Sequence, residues 1–159
     1  MKAISLWQPW ATLVAVGAKC CETRSWGTSY RGPIVIHAAK RWSLELRDLC
    51  LTEPFLGALA MHRPNQAGAF YLEDCLDEVC PRGVIVATAH LDACVSIDLR
   101  TTPVDRREQA FGDYSPGRFR WDLTDVRRFA EPIPYRGRQG LFEIPDAVLA
   151  PTPAREGSE

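Results

Sequence analysis

Residues 82–97, RGVIVATAHLDACVSI, limit the possible folds most strongly, because two sets of side chains alternate along them as in one long β-strand. One face would carry Val84, Val86, Thr88, His90 and Asp92, and the other Ile85, Ala87, Ala89, Leu91 and Ala93. Residues 118–129, RFRWDLTDVRRF, alternate in the same way. Because the backbone groups of such strands need hydrogen-bond partners, the chain must contain a sheet.

Further strand patterns lie near both ends of the chain, and helix patterns lie between them. The strand patterns are KAISLW (2–7), KCCETRSW (19–26), GPIVIHAA (32–39) and GLFEI (140–144). Pro9 opens a helix that ends at Gly17, and more helices are expected within residues 43–80. This order predicts an α+β fold with a small, largely antiparallel β-barrel and flanking helices.

The length and composition predict one globular domain. The 159 residues are 46% hydrophobic and 25% charged, which is ordinary for a soluble protein. No apolar run approaches the ~20 residues that span a bilayer, and MKAISLWQPW is not a signal peptide. We therefore expect a cytoplasmic protein with no membrane partner and with free thiols at its cysteines. We place the domain in residues 1–146 and a Pro-rich tail in 147–159.

Charge is divided unevenly along the chain. Residues 1–42 carry six Lys or Arg against one acid, whereas residues 43–98 carry three against nine. This separation predicts a basic face and an acidic face. Most of the cationic residues are arginines, whose planar guanidinium suits two-pronged contact with phosphate or carboxylate.

The segment GAKCCETRSW, residues 17–26, contains the main candidate site. If it is extended, Cys20, Glu22, Arg24 and Trp26 share one face. An exposed strand with a weak Glu22–Arg24 ion pair is the alternative. Aromatic rings interleaved with cationic donors and an amide favour base stacking and phosphate contact instead. The neighbouring residues that supply these groups are Lys19, Trp7, Gln8 and Trp10.

Two other residue pairs are candidates for the rim of the site. His37 and Lys40 lie at and just beyond the end of a strand pattern, although a histidine there can also be a structural residue bonded to a backbone carbonyl. Tyr114 and Arg118 flank the turn YSPGR, which can equally be a plain hairpin connection.

The sequence predicts neither a metal nor a cofactor. On one strand, His90 and Cys94 would stand about 13 Å apart at ~3.3 Å per residue, which is too far to share a zinc ion with Cys75 and Cys80. The chain also has no Gly-rich phosphate loop and no convincing Ser/His/Asp order.

Residues 4–40, ISLWQPWATLVAVGAKCCETRSWGTSYRGPIVIHAAK, resemble the N-terminal signature of ASCH domains. FGDYSPGRFRW and GRQGLFEI resemble the later strands of that family, so the resemblance covers most of residues 3–144. It implies a PUA-like β-barrel with helices around a cleft, and binding of RNA or other nucleic acid. It also implies that the lysine, glutamate and arginine of the pattern G-x-K-x-x-E-x-R line the cleft. The pattern is here Gly17, Lys19, Glu22 and Arg24.

The same resemblance leaves an enzyme as an alternative. Some ASCH proteins are similar to amidohydrolases that remove the acyl group from N4-acetylcytidine with a lysine, a threonine and a glutamate. Lys19 matches the lysine, whereas Glu22 stands where the threonine is expected. In an enzyme on N4-acylated cytidine nucleosides, Lys19 would be the nucleophile or base and Glu22 would carry a proton. The resemblance also implies a further alternative, a ribonuclease activity, which is associated with certain ASCH proteins.

The leading expectation is a cleft for RNA, another single-stranded nucleic acid or a nucleotide. The expected contacts are phosphate at Lys19, Arg24 and Lys40, base stacking at Trp7, Trp10 or Trp26, base-edge hydrogen bonds at Gln8 or Glu22, and closure of the cleft by Tyr114 and Arg118. A protein-interaction module that uses the acidic helices of residues 43–80 remains a third alternative.

Overall fold

The computed structural model describes residues 1–62, 71–98 and 105–150. Its elements are β1 (Lys2–Leu6), α1 (Trp10–Ala15), β2 (Cys21–Arg24), β3 (Gly32–Ala38), α2 (Leu44–Cys50), α3 (Phe55–Ala60), a 3₁₀ turn (Leu72–Cys75), α4 (Leu76–Val79), β4 (Val84–Ser96), α5 (Arg106–Ala110), β5 (Phe119–Pro134), β6 (Leu141–Glu143) and α6 (Asp146–Leu149). Part of the helix and loop predicted within residues 43–80 and most of the predicted tail lie outside the described residues.

The described part of the chain contributes six strands to one sheet. Their order is β2-β5-β4-β3-β1-β6, and the sheet curves into a half-barrel. β1 pairs with β3 in parallel, while the other neighbouring strands are antiparallel. The long strands β4 and β5 pair from Val84 opposite Pro134 to Ser96 opposite Phe119. The predicted α+β fold with a largely antiparallel sheet is therefore confirmed.

The parallel pair β1–β3 decides where the strand ends lie. Parallel strands need a crossover connection, and α1 lies within this one. The helix buries residues 11–15 and adds Ala11, Val14 and Ala15 to the core on the sheet. Leu6 pairs with Ala38, so β1 and β3 finish at the same edge of the sheet.

A second apolar core lies among the short helices. It contains Leu13, Cys50, Phe55, Ala58, Leu59, Leu72, Cys75, Leu76, Val79, Cys80 and Phe111. Phe55 packs edge-on against both Trp10 and Phe111, with ring centroids 6.1 and 5.0 Å apart. This core therefore holds three aromatic rings in fixed positions beside the end of β1. None of the six cysteines forms a disulfide.

Helix α5 is a short element that the sequence analysis did not predict. Asp105 caps it, because the carboxylate Oδ1 accepts a hydrogen bond from the Glu108 amide at 2.8 Å. The pattern Asp-x-x-Glu at residues 105–108 resembles a capping box and was the available sequence signal. The cap fixes the helix turn that carries the Glu108 side chain.

Glu108 ties α5 to the segment that leads into β2. One carboxylate oxygen accepts hydrogen bonds from Lys19 Nζ at 2.8 Å and from the Tyr114 hydroxyl at 2.9 Å, and the other accepts from the Cys20 amide at 2.9 Å. The side chains of Lys19 and Glu108 are 1% and 4% exposed. Burial alone would raise the pKa of Glu108, but the charge of Lys19 and these hydrogen bonds outweigh it and hold the pKa below its usual value.

Replacing Glu108 with Ala is expected to lower the free energy of unfolding by about 3–5 kcal/mol, because it leaves the Lys19 ammonium buried without its carboxylate. Urea denaturation followed by circular dichroism measures the change. The matched control is Glu143→Ala, which removes an exposed carboxylate 2.9 Å from Lys2 and should leave stability nearly unchanged. Similar losses in the two variants would contradict the importance assigned to the buried pair.

Candidate functional site

Two adjoining cavities open where β1 and β3 end. The first, about 590 Å³, is called the aromatic cavity and is lined by Ser5, Leu6, Trp7, Trp10, Glu22, Thr23, Arg24, Ser25, Trp26, Leu49, Phe55, Ala110, Phe111, Gly112, Asp113 and Arg118. The second, about 1140 Å³, is called the basic cavity and is lined by Ser5, Trp7, Arg24, Trp26, His37, Ala39, Lys40, Gly83, Pro134, Tyr135, Arg136, Gly137, Arg138, Gln139 and Gly140. They share Ser5, Trp7, Arg24 and Trp26, so we treat them together as one groove.

The strand β2 delivers the central side chains of the groove. Cys21 and Thr23 are buried, whereas Glu22 and Arg24 are partly exposed, as the alternation of a strand requires. Glu22, Arg24 and Trp26 all line the aromatic cavity. The Trp26 ring stands edge-on to Trp121, 4.9 Å between centroids, which fixes its orientation. The two-residue period of a strand alone predicts this grouping of Glu22, Arg24 and Trp26.

Glu22 is a carboxylate that the fold leaves poorly solvated. Its side chain is 13% exposed, and Oε1 lies 3.1 Å from Arg24 Nε. Burial raises the pKa of Glu22, and the positive charges of Arg24, Lys19 and Arg118 reduce that effect without cancelling it. The charged form of Glu22 is therefore less stable in this site than in water.

Two arginines flank this carboxylate, and each is anchored through one nitrogen. Arg24 donates from Nη2 to the Ser5 carbonyl oxygen at 2.6 Å, and Arg118 donates from Nη2 to the Thr23 carbonyl oxygen at 3.2 Å. In both side chains Nε is buried and forms an ion pair without hydrogen-bond geometry, in Arg24 with Glu22 at 3.1 Å and in Arg118 with Asp113 at 3.4 Å. The anchoring bonds hold both guanidinium groups against the groove before any ligand arrives.

The aromatic rings of the groove differ in how firmly they are held. Trp10 donates from Nε1 to the Phe111 carbonyl oxygen at 2.6 Å and belongs to the second core. Trp7 is 46% exposed, with the Arg41 guanidinium 4.1 Å from its ring centroid. Trp7 is therefore the ring of the groove that has the most surface available to a ligand.

Three of the residues predicted for the site line neither cavity. Gln8 is fully buried, with Nε2 donating to the Pro81 carbonyl oxygen at 2.7 Å and Oε1 accepting from the Thr12 amide at 3.1 Å. Lys19 and Tyr114 both bind Glu108 behind the groove wall. All three side chains are hydrogen-bonded within the fold. The direct contacts with a ligand that the sequence predicts for them stay predictions.

His37 and Lys40 lie on the wall of the basic cavity, as expected for residues at the end of a strand. The His37 ring is also bonded into the fold, with Nε2 3.0 Å from the Tyr135 carbonyl oxygen and Nδ1 3.1 Å from Ser5 Oγ. Burial lowers its pKa, although the bond to Tyr135 opposes this. The neutral ring is therefore favoured at neutral pH.

The loop of residues 135–140 and the phenylalanines Phe55 and Phe111 were not predicted as parts of the site. The loop carries Arg136 and Arg138 over the basic cavity, and the basic, Gly-rich string RGRQG was the available signal. Gly137 is required there, because a Cβ at this position would collide with the His37 ring and with Ser5 Oγ. Phe55 and Phe111 come from distant segments, and their sequence surroundings mark them only as apolar.

Residues 1–62, 71–98 and 105–150 give no indication of a metal site or of a membrane-spanning helix. No group of three or more His, Cys, Asp or Glu side chains is arranged there to hold a metal ion. No helix in these ranges has the length and apolar character needed to cross a membrane.

Comparison with known proteins identifies one family. The sequence model of the ASCH domain matches residues 4–133. The crystal structure of an ASCH protein from Zymomonas mobilis superimposes with a TM-score of 0.50 at 15% identity, over 93% of this chain and 90% of that one. A mutant of that protein gives a TM-score of 0.50 at 17% identity, over 93% and 92%. These structures support the fold. No curated protein matches the sequence.

Replacing Glu22 with Gln is expected to stabilise the protein at pH 8. The folded pKa of Glu22 is raised above 4.5, so ionisation favours the unfolded chain at higher pH, and the neutral amide avoids this cost. The gain should shrink as the pH falls through the raised pKa of folded Glu22 and should be nearly absent below about 4.5, where the carboxyl group is mostly neutral in both states. Urea denaturation at pH 8 and pH 4 measures it.

The matched control for this substitution is Glu143→Gln, because the Lys2 ammonium lowers the pKa of Glu143 instead of raising it. That variant should gain no stability at pH 8. A Glu22→Gln protein that is no more stable than the original at pH 8 would contradict a raised pKa of Glu22 in the folded protein.

Proposed function

The chain belongs to the ASCH domain family, and on that premise we propose that its groove binds single-stranded nucleic acid, with RNA as the expected ligand. The observation that carries the proposal is the adjacency of the two cavities. An aromatic cavity with two carboxylates, Glu22 and Asp113, adjoins a basic cavity, and both share Trp7, Arg24 and Trp26. A nucleotide has the same division into a flat apolar base and a charged phosphate.

The aromatic cavity supports the binding of a base. Single-stranded RNA exposes its bases, which proteins recognise by stacking on aromatic rings and by hydrogen bonds to the base edge. Trp7, Trp10 and Trp26 line this cavity together with Phe55 and Phe111. Glu22 supplies a polar group on the same wall. The cavity volume, about 590 Å³, falls in the range of small-molecule sites.

The basic cavity supports the binding of the phosphate backbone. Arg24, Lys40, Arg136 and Arg138 line it. Arg136 and Arg138 are exposed, so a phosphate can approach them without displacing a partner from the core. Such contacts give affinity without sequence preference and make binding depend on salt.

The surroundings of Lys19 favour binding over the amidohydrolase alternative. Lys19 is fully buried, donates to the Glu108 carboxylate and lines neither cavity. As an ammonium it has no lone pair with which to attack a carbonyl carbon. The ribonuclease alternative would use the same groove, and intact RNA at the end of a binding measurement would count against it.

Replacing Arg136 and Arg138 with Ala is expected to weaken binding of a short single-stranded RNA and to reduce its salt dependence. The slope of log K against log salt should fall by roughly 0.7 for each phosphate that the variant no longer neutralises. Fluorescence anisotropy of a labelled oligouridylate, measured across a salt series, provides both quantities.

The matched control for the two arginines is the double variant Arg127→Ala and Arg128→Ala. These two residues are also exposed on the chain but line neither cavity. Equal losses of affinity in the two double variants would indicate attraction by overall charge and would contradict a groove. Absence of binding to RNA by the original protein would overturn the proposed function.

Replacing Trp7 with Ala is expected to weaken RNA binding roughly 5- to 150-fold, the equivalent of the ~1–3 kcal/mol that stacking of one base contributes. Trp42→Ala is the control, because Trp42 also lies beside an arginine, Arg82 at 4.8 Å, but lines neither cavity. Anisotropy titrations at fixed salt measure both variants. Unchanged affinity in Trp7→Ala would exclude this ring from the contact.

A further inference from the structure

The Glu22 carboxylate is a feature of the groove that attraction of phosphate does not explain. A negative charge beside the path of a nucleic acid repels the backbone, and burial makes this charge costly to keep. Yet Glu22 lines the aromatic cavity with its side chain 13% exposed, and its carboxylate pairs with Arg24 at 3.1 Å. Polar groups inside folded proteins are nearly always hydrogen-bonded to protein or water. A base that enters the cavity and displaces water from Glu22 must therefore bring hydrogen-bond donors of its own.

The chemistry of a carboxylate limits which base can bring those donors. An ionised carboxylate offers two acceptor oxygens side by side and donates nothing. Guanine carries two adjacent donors on its Watson–Crick edge, the N1–H and the N2 amino group. Adenine and cytosine carry one donor beside an acceptor, and uracil carries one donor between two acceptors. Each of these three bases would set a lone pair against a carboxylate oxygen.

We propose that the aromatic cavity selects guanine among the four bases, with the Glu22 carboxylate accepting hydrogen bonds from N1–H and the N2 amino group. The proposal rests on the nucleic-acid function proposed above and names the base that this site prefers. It assigns the preference to one side chain of β2, whereas the affinity for the phosphate backbone comes from the basic cavity.

The neighbours of Glu22 complete the match to guanine. The O6 atom beside N1 is an acceptor and needs a donor, and arginine is a common donor to it. Arg24 and Arg118, with side chains 25% and 30% exposed, line the same cavity. The acceptor–donor–donor edge of guanine therefore meets donors from arginine and two acceptors from Glu22. The rings of Trp10 and Phe111 give the purine an apolar wall.

The ionisation of Glu22 decides between guanine and the other bases. The groups that act on its charge are Arg24, Lys19 and Arg118, which favour the ionised form, and Glu108, which opposes it. Two donors from guanine would restore the hydrogen bonds that burial removed and would favour the ionised form further. A protonated Glu22 would instead offer one donor and one acceptor, which match adenine or cytosine.

The test uses the full chain and five labelled RNA pentamers, each with uridine at four positions and guanosine, inosine, adenosine, cytidine or uridine at the centre. Inosine differs from guanosine only by the missing N2 amino group, so this pair isolates one of the two hydrogen bonds. We expect the guanosine pentamer to bind roughly tenfold or more tightly than the adenosine, cytidine and uridine pentamers, with inosine between. Anisotropy at one fixed salt concentration and pH 8 measures all five.

The second part of this test repeats the binding measurements with the variant Glu22→Gln. Its amide keeps the shape but offers one acceptor and one donor, so the preference for guanosine over inosine and adenosine should disappear. Binding of the uridine pentamer through the basic cavity should persist, which shows that the variant is folded. The guanosine–inosine comparison needs no substitution and stays decisive even if the variant fails to fold.

The outcomes separate this inference from the proposed function. Equal affinity for all five pentamers, with strong salt dependence, keeps nucleic-acid binding and overturns guanine selection. A preference for adenosine or cytidine overturns it as well, because it indicates a protonated Glu22. A guanosine preference that survives Glu22→Gln assigns the selection to another residue and overturns the assignment. Failure of every pentamer to bind overturns both proposals.

Discussion

The parallel pairing of β1 with β3 is the constraint on which the groove depends. In an antiparallel pair, the end of one strand lies beside the start of the next, and the segments after Leu6 and Ala38 would point to opposite edges. Because the pair is parallel, Trp7 and Lys40 leave the sheet at the same edge. The strand β2 and the loop of residues 135–140 then add charged side chains to a cleft that the two strand ends already define.

Lys19 and Glu22, two charged residues that follow α1, have different environments in the fold. Lys19 is paired with Glu108 at 2.8 Å, and the Glu108 carboxylate is satisfied by two further donors, so this pair stabilises the wall of the groove. Glu22 receives only an ion pair with Arg24. Strongly perturbed groups concentrate at functional sites, where stability is given up for binding. The contrast supports a scaffold role for Lys19 and, under the proposed function, a ligand-binding role for Glu22.

The sequence predicts those parts of the architecture in which side chains alternate with the two-residue period of a strand. Alternation identified β4 and β5, and the same two-residue period placed Glu22, Arg24 and Trp26 together, because a strand turns successive side chains to opposite faces. Contacts between distant segments have no such local signal. The sequence around Lys19 does not reveal its partner, because Glu108 lies 89 positions away on a helix of five residues. Arg136 and Arg138 lie in the basic string RGRQG, but the sequence does not show that this loop lies beside the end of β3.

The close approach of Gly137 to His37 fixes the position of the loop through atoms that carry none of the charge of the basic cavity. At Gly137 the main chain packs directly against the buried His37 ring, so no side chain at this position sets the distance between the loop and β3. The charge, in contrast, resides at the tips of long side chains such as Lys40 and Arg138 that project from this frame. Substitutions at these exposed tips would change the charge of the cavity without altering the contact between Gly137 and His37.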